Sequence, residues 1–157
     1  MRFAPRVILV VALAAGTFAA LATGALASTQ PASGQFVEGK EHLLDERLVG
    51  ADWWYTITRN VKFTGTYSGQ ADFTELVIIA PDGTTDLYGV MEFAGKVCGT
   101  KANLTFQVVG HGNQATTIDG TYVVYGTGAQ AGAALGQGSF TGTPGTAGVY
   151  TGAATCD

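Results

Sequence analysis

Basic residues, histidine and cysteine are all scarce in this chain, and each scarcity removes a class of function. The 157 residues hold eight Lys and Arg against twelve Asp and Glu, with two His and two Cys. An acidic chain without a basic cluster repels phosphate backbones and anionic headgroups, which argues against nucleic acid as a partner. His42 and His111 have no motif context, and neither Cys98 nor Cys156 has a second cysteine nearby, so the ligands of a zinc site are missing. A Cys–His nucleophile pair lacks its positioned base for the same reason. There is no Gly-x-Ser-x-Gly elbow. Nothing resembles a nucleotide or cofactor motif, and no cofactor is expected.

What is present begins with an export signal. Arg2 and Arg6 precede an uncharged stretch from Val7 to Gly24, and Ala25-Leu26-Ala27 supplies small residues at the two positions a signal peptidase reads. The expectation is a signal-peptide helix over residues 1–27, cleaved after Ala27, and a secreted product. The alternative is an uncleaved anchor, since Val7 to Ala27 is just long enough to span a bilayer. Its Ala, Gly and Thr content and the absence of a flanking basic stop favour cleavage. Removing 27 residues leaves 130, the size of one domain, with six basic residues against twelve acids and a net charge of −6. No stable membrane association is expected after cleavage. In an oxidising compartment the two cysteines are read as a Cys98–Cys156 disulfide that fastens the chain end to a central turn.

Residues 28–50 read as a lead-in. Ser28 to Gly34 has linker composition, while Glu38 to Leu48 spaces Leu43, Leu44 and Leu48 for a short amphipathic turn or a loose first strand. From Asp52 onward, short β-branched and aromatic runs alternate with turn residues. The runs are Trp53–Thr58, Val61–Tyr67, Phe73–Ala80, Asp86–Val97, Asn103–Val109, Ile118–Tyr125, Gly138–Thr143 and Gly148–Cys156. Pro81-Asp82-Gly83-Thr84 and Cys98-Gly99-Thr100-Lys101 are turns, and His111-Gly112-Asn113-Gln114 is a third. The expected fold over residues 51–157 is therefore all-β, an antiparallel barrel of about eight strands, with a β-sandwich as the alternative. Glycines inside the strands favour the barrel, because they relieve crowding where a coiled sheet bends.

Three segments carry a resemblance. Phe63-Thr64-Gly65-Thr66-Tyr67-Ser68-Gly69, then Gly89-Val90-Met91-Glu92-Phe93-Ala94-Gly95-Lys96-Val97-Cys98-Gly99, then Tyr122 to Phe140 with its Gly-Thr-Gly and Gly-Gln-Gly-Ser-Phe elements, together resemble a bacterial family of uncharacterised domains with an allene oxide cyclase-like barrel. The likeness covers roughly Val61 to Phe140 and rests on glycines, aromatics and turns, so it implies fold far more than activity. It implies a barrel whose interior could hold a small apolar molecule, lined by Tyr88, Glu92, Phe106 and Tyr122. The other implied role is a cyclase or dirigent kind of enzyme that steers a reactive intermediate, and a purely structural surface protein is the third option.

Glu92 matches the family's acid and is the candidate catalytic group. Facing inward, it would be desolvated and suited to proton transfer. The alternation of its strand, however, sets it opposite the face of Leu87, Met91, Phe93 and Val97, an outward position. Asp72 and Glu75 on the preceding strand could pair with it, as glycosidase chemistry requires. His111 reads as an exposed turn residue, and Trp53, Trp54 and Tyr55 as core packing rather than a ligand platform, alternate members filling the core and the others lying half-buried outside.

Overall fold

The structure, a computed structural model, describes residues 28–156. The expected signal segment lies outside the described residues. Nine antiparallel strands follow one another: β1 (Ser28–Glu38), β2 (His42–Val49), β3 (Asp52–Gly65), β4 (Tyr67–Ile79), β5 (Thr84–Val97), β6 (Thr100–Asn113), β7 (Ile118–Gly126), β8 (Ala134–Thr143) and β9 (Ala147–Cys156). Among the described residues the one helical element is a 3-10 turn, Gly128–Gln130. The sheet runs β1-β9-β8-β7-β6-β5-β4-β3-β2, and β1 also pairs with β3. That last pairing, Gly34↔Gly65 to Glu38↔Val61, closes eight strands into a ring and leaves β2 outside it as a ninth strand on β3. The barrel expected from the sequence is present.

Two of its strands are drawn differently. Ser28–Gly34, read as linker, is barrel wall: β1 pairs along its length with β9, from Ser28↔Cys156 to Val37↔Ala147. Its polar composition is tolerated because backbone pairing with β9, rather than side-chain propensity, holds it, β3 joining only from Gly34 onward. Conversely, the runs Trp53–Thr58 and Val61–Tyr67 belong to one continuous strand, β3, up to Gly65. The polar pair Arg59-Asn60 between them is no break, because Arg59 points inward and finds ionic partners there.

The turns follow their chemistry. Gly83 takes φ +84° and donates to Ala80 across a closed β4–β5 hairpin. At the β5–β6 turn both central residues, Cys98 and Gly99, have positive φ, the conformation a two-residue hairpin needs to match strand twist. The third turn is displaced: β6 continues through Asn113, so His111 is a strand residue rather than a turn residue.

Inside, alternate residues of six of the eight ring strands meet in one aromatic cluster. Phe63, Tyr67, Phe93, Phe106, Tyr122 and Tyr150 are each at most 5% exposed, with ring centroids 5.1–6.4 Å apart. Glycines seat these rings. A Cβ on Gly138 would lie 2.0 Å from the Thr151 carbonyl oxygen and 2.6 Å from the Tyr122 hydroxyl, so no other residue fits. In-strand glycine thus serves close packing of rings on the barrel wall as well as bending. Tyr150 Oη accepts from Tyr67 N–H at 2.9 Å and donates to Thr64 C=O at 3.0 Å, tying β9 across the interior to β3 and β4.

The Cys98–Cys156 disulfide is present. In the ring, β9 and β5, whose end leads into Cys98, stand four strands apart in either direction, so the bond crosses one end of the barrel from side to side. That end carries the β3–β4, β5–β6 and β7–β8 connections, and the opposite end carries the β4–β5, β6–β7 and β8–β9 turns.

Candidate functional site

The end opposite the disulfide is open and polar. Strand alternation that sends Ile57, Val61 and Phe63 inward on β3 also sends Arg59 inward, and on β4 Glu75 shares the inner face with Phe73 and Val77. Ile57 lies directly opposite Glu75, which makes Arg59 its diagonal neighbour on the same face. Arg59 Nη2 approaches Glu75 Oε1 at 2.5 Å and Glu41 Oε2 at 3.2 Å, while Nη1 donates to Glu38 Oε2 at 2.5 Å. Glu38, the last residue of β1, also accepts from Gly145 N–H at 2.7 Å and so holds the β8–β9 turn beside the opening.

These side chains line a cavity of about 180 Å³ whose other walls are Phe36, Ile57, Val77, Leu87, Ile118 and Phe140. Below it, sharing Phe36, Leu87 and Phe140, a smaller void of about 40 Å³ reaches the aromatic cluster at Phe106 and Tyr122. The mouth therefore joins a charged rim to an apolar floor.

Burial dominates its electrostatics. Glu75 is 2% exposed and Arg59 8%. Desolvation pushes the Glu75 carboxyl up to about 7; Arg59 pulls against the rise, while Glu38 and Glu41 add to it. Burial likewise raises Tyr122 to about 12 and sets Tyr67 and Tyr150 above their ordinary value, so the phenols stay protonated; Tyr122 and Tyr150 hydrogen-bond within the core, whereas the buried Tyr67 hydroxyl has no partner.

A pH signature follows. In the unfolded chain Glu75 loses its proton near 4.5, in the fold only near 7. The stability conferred by holding that proton is complete below 4.5 and lost as pH rises through 7. Between pH 4 and 8 the stability of the wild type should fall by about 3 kcal/mol relative to Glu75→Gln. Urea denaturation of both proteins across that range checks this, and a constant difference between them would refute it.

The residues singled out from sequence divide. Phe106 and Tyr122 are buried and line the inner void. Tyr88, 47% exposed, and Glu92 lie on the outer face of β5. Neither can line an interior pocket, because the even-numbered positions of that strand point outward. Glu92 is bonded there by the Thr105 hydroxyl at 3.3 Å. Asp72 faces outward too, opposite Glu92 in register and bonded by Asn60. The inward carboxylate is Glu75. His111 Nδ1 lies 2.7 Å from Asp86 on the exterior. Trp53, Trp54 and Tyr55 are not core. Trp53 is 43% exposed and stacks on Tyr55 at 6.1 Å, because β3 runs on past the closed ring there, and Trp54 lies beneath Arg47. Among the described residues no group of three His, Cys, Asp or Glu side chains is placed to hold a metal ion.

Neither a family model nor a curated protein matches this chain. Among solved structures, a protein of unknown function from the DUF3224 family of Shewanella oneidensis is similar in fold. It has a TM-score of 0.60 at 17% identity, over 83% of this chain and 99% of that one. The likeness extends to the barrel and not to an activity. It agrees with the resemblance to an uncharacterised barrel domain.

Proposed function

We propose that this chain is an exported barrel protein that holds a small, mainly apolar molecule in the open mouth of its barrel. One observation carries the reading: a cavity of about 180 Å³ walled by Phe36, Ile57, Val77, Leu87, Ile118 and Phe140, with its charged groups, Glu38, Glu41, Arg59 and Glu75, gathered on one side and Thr85, Gln114 and Thr143 as further polar members of the wall. Ligand sites have this composition, apolar walls with a small set of orienting polar groups. A dry cavity of about 150 Å³ accepts benzene, so the ligand body is about one ring. Export is supported by the basic, apolar and small-residue order of residues 1–27 and by the Cys98–Cys156 bond. Among the described residues no helix is long and apolar enough to cross a membrane.

A second reading, an enzyme of the cyclase or dirigent kind, draws on a different observation. Glu75 is a buried carboxyl that titrates near neutrality beside the cavity, the property a general acid or base needs. In that reading Glu75, not Glu92, handles the proton.

Titration of the purified protein with toluene, followed by NMR, tests the first reading. Shifts should concentrate at Val77, Leu87, Ile118 and Phe140, and Leu87→Trp, which fills the cavity, should abolish them. An absence of shifts at these residues would overturn the first reading. Mass spectrometry of molecules retained by protein from its native host would then identify the occupant.

A further inference from the structure

We infer that two copies of this chain associate through the free edge of β2, each β2 pairing antiparallel with the other about a two-fold axis at Glu46. The inference is independent of what the mouth holds. β2 is the terminal strand of the sheet: one edge lies on β3, and among the described residues nothing pairs with the other. All eight of its residues are exposed. Four of them are apolar, Leu43, Leu44, Leu48 and Val49, at 44–61% exposure, and Leu48 stands opposite the exposed Trp53. The backbone N–H and C=O groups along such an edge are a template for a further strand. Of the devices that keep an edge from pairing, β2 has a bulge at Leu44 and charges of both signs, but no Lys and no Pro.

The order of residues along the strand selects its own copy as the occupant. In a two-fold antiparallel pair the outward-turned backbone groups alternate, so a residue can face only one of the same parity, and the register is centred on a residue. Centred on Asp45 or on Arg47, it would set like charges together at the axis with no opposite pair to offset them. Centred on Glu46, it sets Asp45 against Arg47 of the second copy, and by symmetry does so twice. Among the described residues neither Asp45 nor Arg47 has an ionic partner in its own chain. Leu44 then meets Leu48 of the second copy and Leu43 meets Val49, so every exposed apolar side chain of β2 gains an apolar partner. The two Glu46 carboxylates do meet at the axis, on an exposed edge where water and salt screen them.

Position argues against the other strand that the chain could supply. Ser28 stands at the disulfide end, whereas Asp52–Thr58, on which β2 lies, run at the mouth end. A segment ahead of Ser28 therefore starts from the far pole. Pairing of the two β2 strands joins two barrels through one continuous sheet. Because each copy spends its free edge on the other, the assembly closes at two.

Sedimentation equilibrium of the oxidised protein, from about 1 to about 300 μM, tests this. The mass should rise to that of two chains and no further. Arg47→Asp turns both opposite pairs into like pairs and should weaken association at least about tenfold. Asp45→Arg combined with Arg47→Asp should restore it. A single-chain mass throughout, or association that Arg47→Asp leaves untouched, overturns the assignment. So does a double exchange that stays weak, or a mass that grows past two chains. Should Arg47→Asp not fold, hydrogen exchange of the wild type decides. Amides of Asp45–Val49 that point away from β3 should gain protection as concentration rises, and exchange independent of concentration overturns the pairing.

Discussion

Replacing Arg59 with methionine should cost about 3–5 kcal/mol of stability at pH 8 and about 1 kcal/mol less below pH 7. The guanidinium is the sole cation among three carboxylates, and Glu75, 2% exposed, has no water to fall back on. Methionine fills much of the volume that the arginine stem occupies, so the loss is of charge more than of packing. Without Arg59, the Glu75 carboxyl in the fold is held even further above its value of 4.5 in the unfolded chain. Between 4.5 and 7 both folds hold the Glu75 proton and lose stability alike, so the penalty grows only above 7, where the wild type ionises Glu75 beside Arg59 and the variant cannot. Glu38 and Glu41 are more exposed and are solvated in part. Denaturation curves of Arg59→Met, Glu75→Leu and the double variant close the cycle. The double variant should be near wild-type stability, because two apolar groups need no pairing. A double variant as unstable as Arg59→Met would show that the arginine is needed for shape rather than for charge.

Removal of the disulfide is expected to lower stability by a similar amount. Cys98 and Cys156 are 58 residues apart in the chain. Cross-linking a loop of that length restricts the unfolded ensemble by about 4 kcal/mol in the chain-entropy description. In a domain of this size that is a large share of the total, and the midpoint of thermal unfolding should drop by on the order of 15 °C. Cys98→Ser with Cys156→Ala respects the burial of Cys156, 7% exposed, and the exposed turn at Cys98. Thermal melts of this variant and of the reduced wild type should agree. Unchanged midpoints in both would show that the barrel end is held by strand pairing alone.

Alternation and turn chemistry made most of the barrel legible. The strand Thr84–Val97, with its inner face of Leu87, Met91, Phe93 and Val97, and the hairpins at Pro81–Thr84 and Cys98–Gly99 follow directly from residue types. The expected count of eight ring strands was met through two compensating differences. Ser28–Gly34 has no apolar period and becomes a strand only because β9, a partner that lies far along the chain, pairs with it. Arg59-Asn60 looks like a break until Glu38 and Glu75 are brought to it. The site was less legible for the same reason. Glu92 drew attention through a motif likeness, yet its phase against Phe93 already marked it as exterior. Glu75 stands in phase with Phe73 and Val77, an ionisable residue at a core position, and that was the available signal. The outlying position of Trp53 was not readable at all, because where a ring of strands closes is a property of register between β1 and β3, not of local composition.

The arrangement of the two barrel ends has a geometric result for the chain as a whole. Ser28 lies directly opposite Cys156 in register, so both chain ends of the domain emerge beside the disulfide. Any segment attached ahead of Ser28, or any tag fused behind the last residue, leaves from that pole. Were the protein held by its leader to a surface, the cup would hang base-inward, with Arg59 and Glu75 turned toward the surrounding solution and free to meet solutes there. Immobilisation through either terminus should for that reason leave the rim unobstructed.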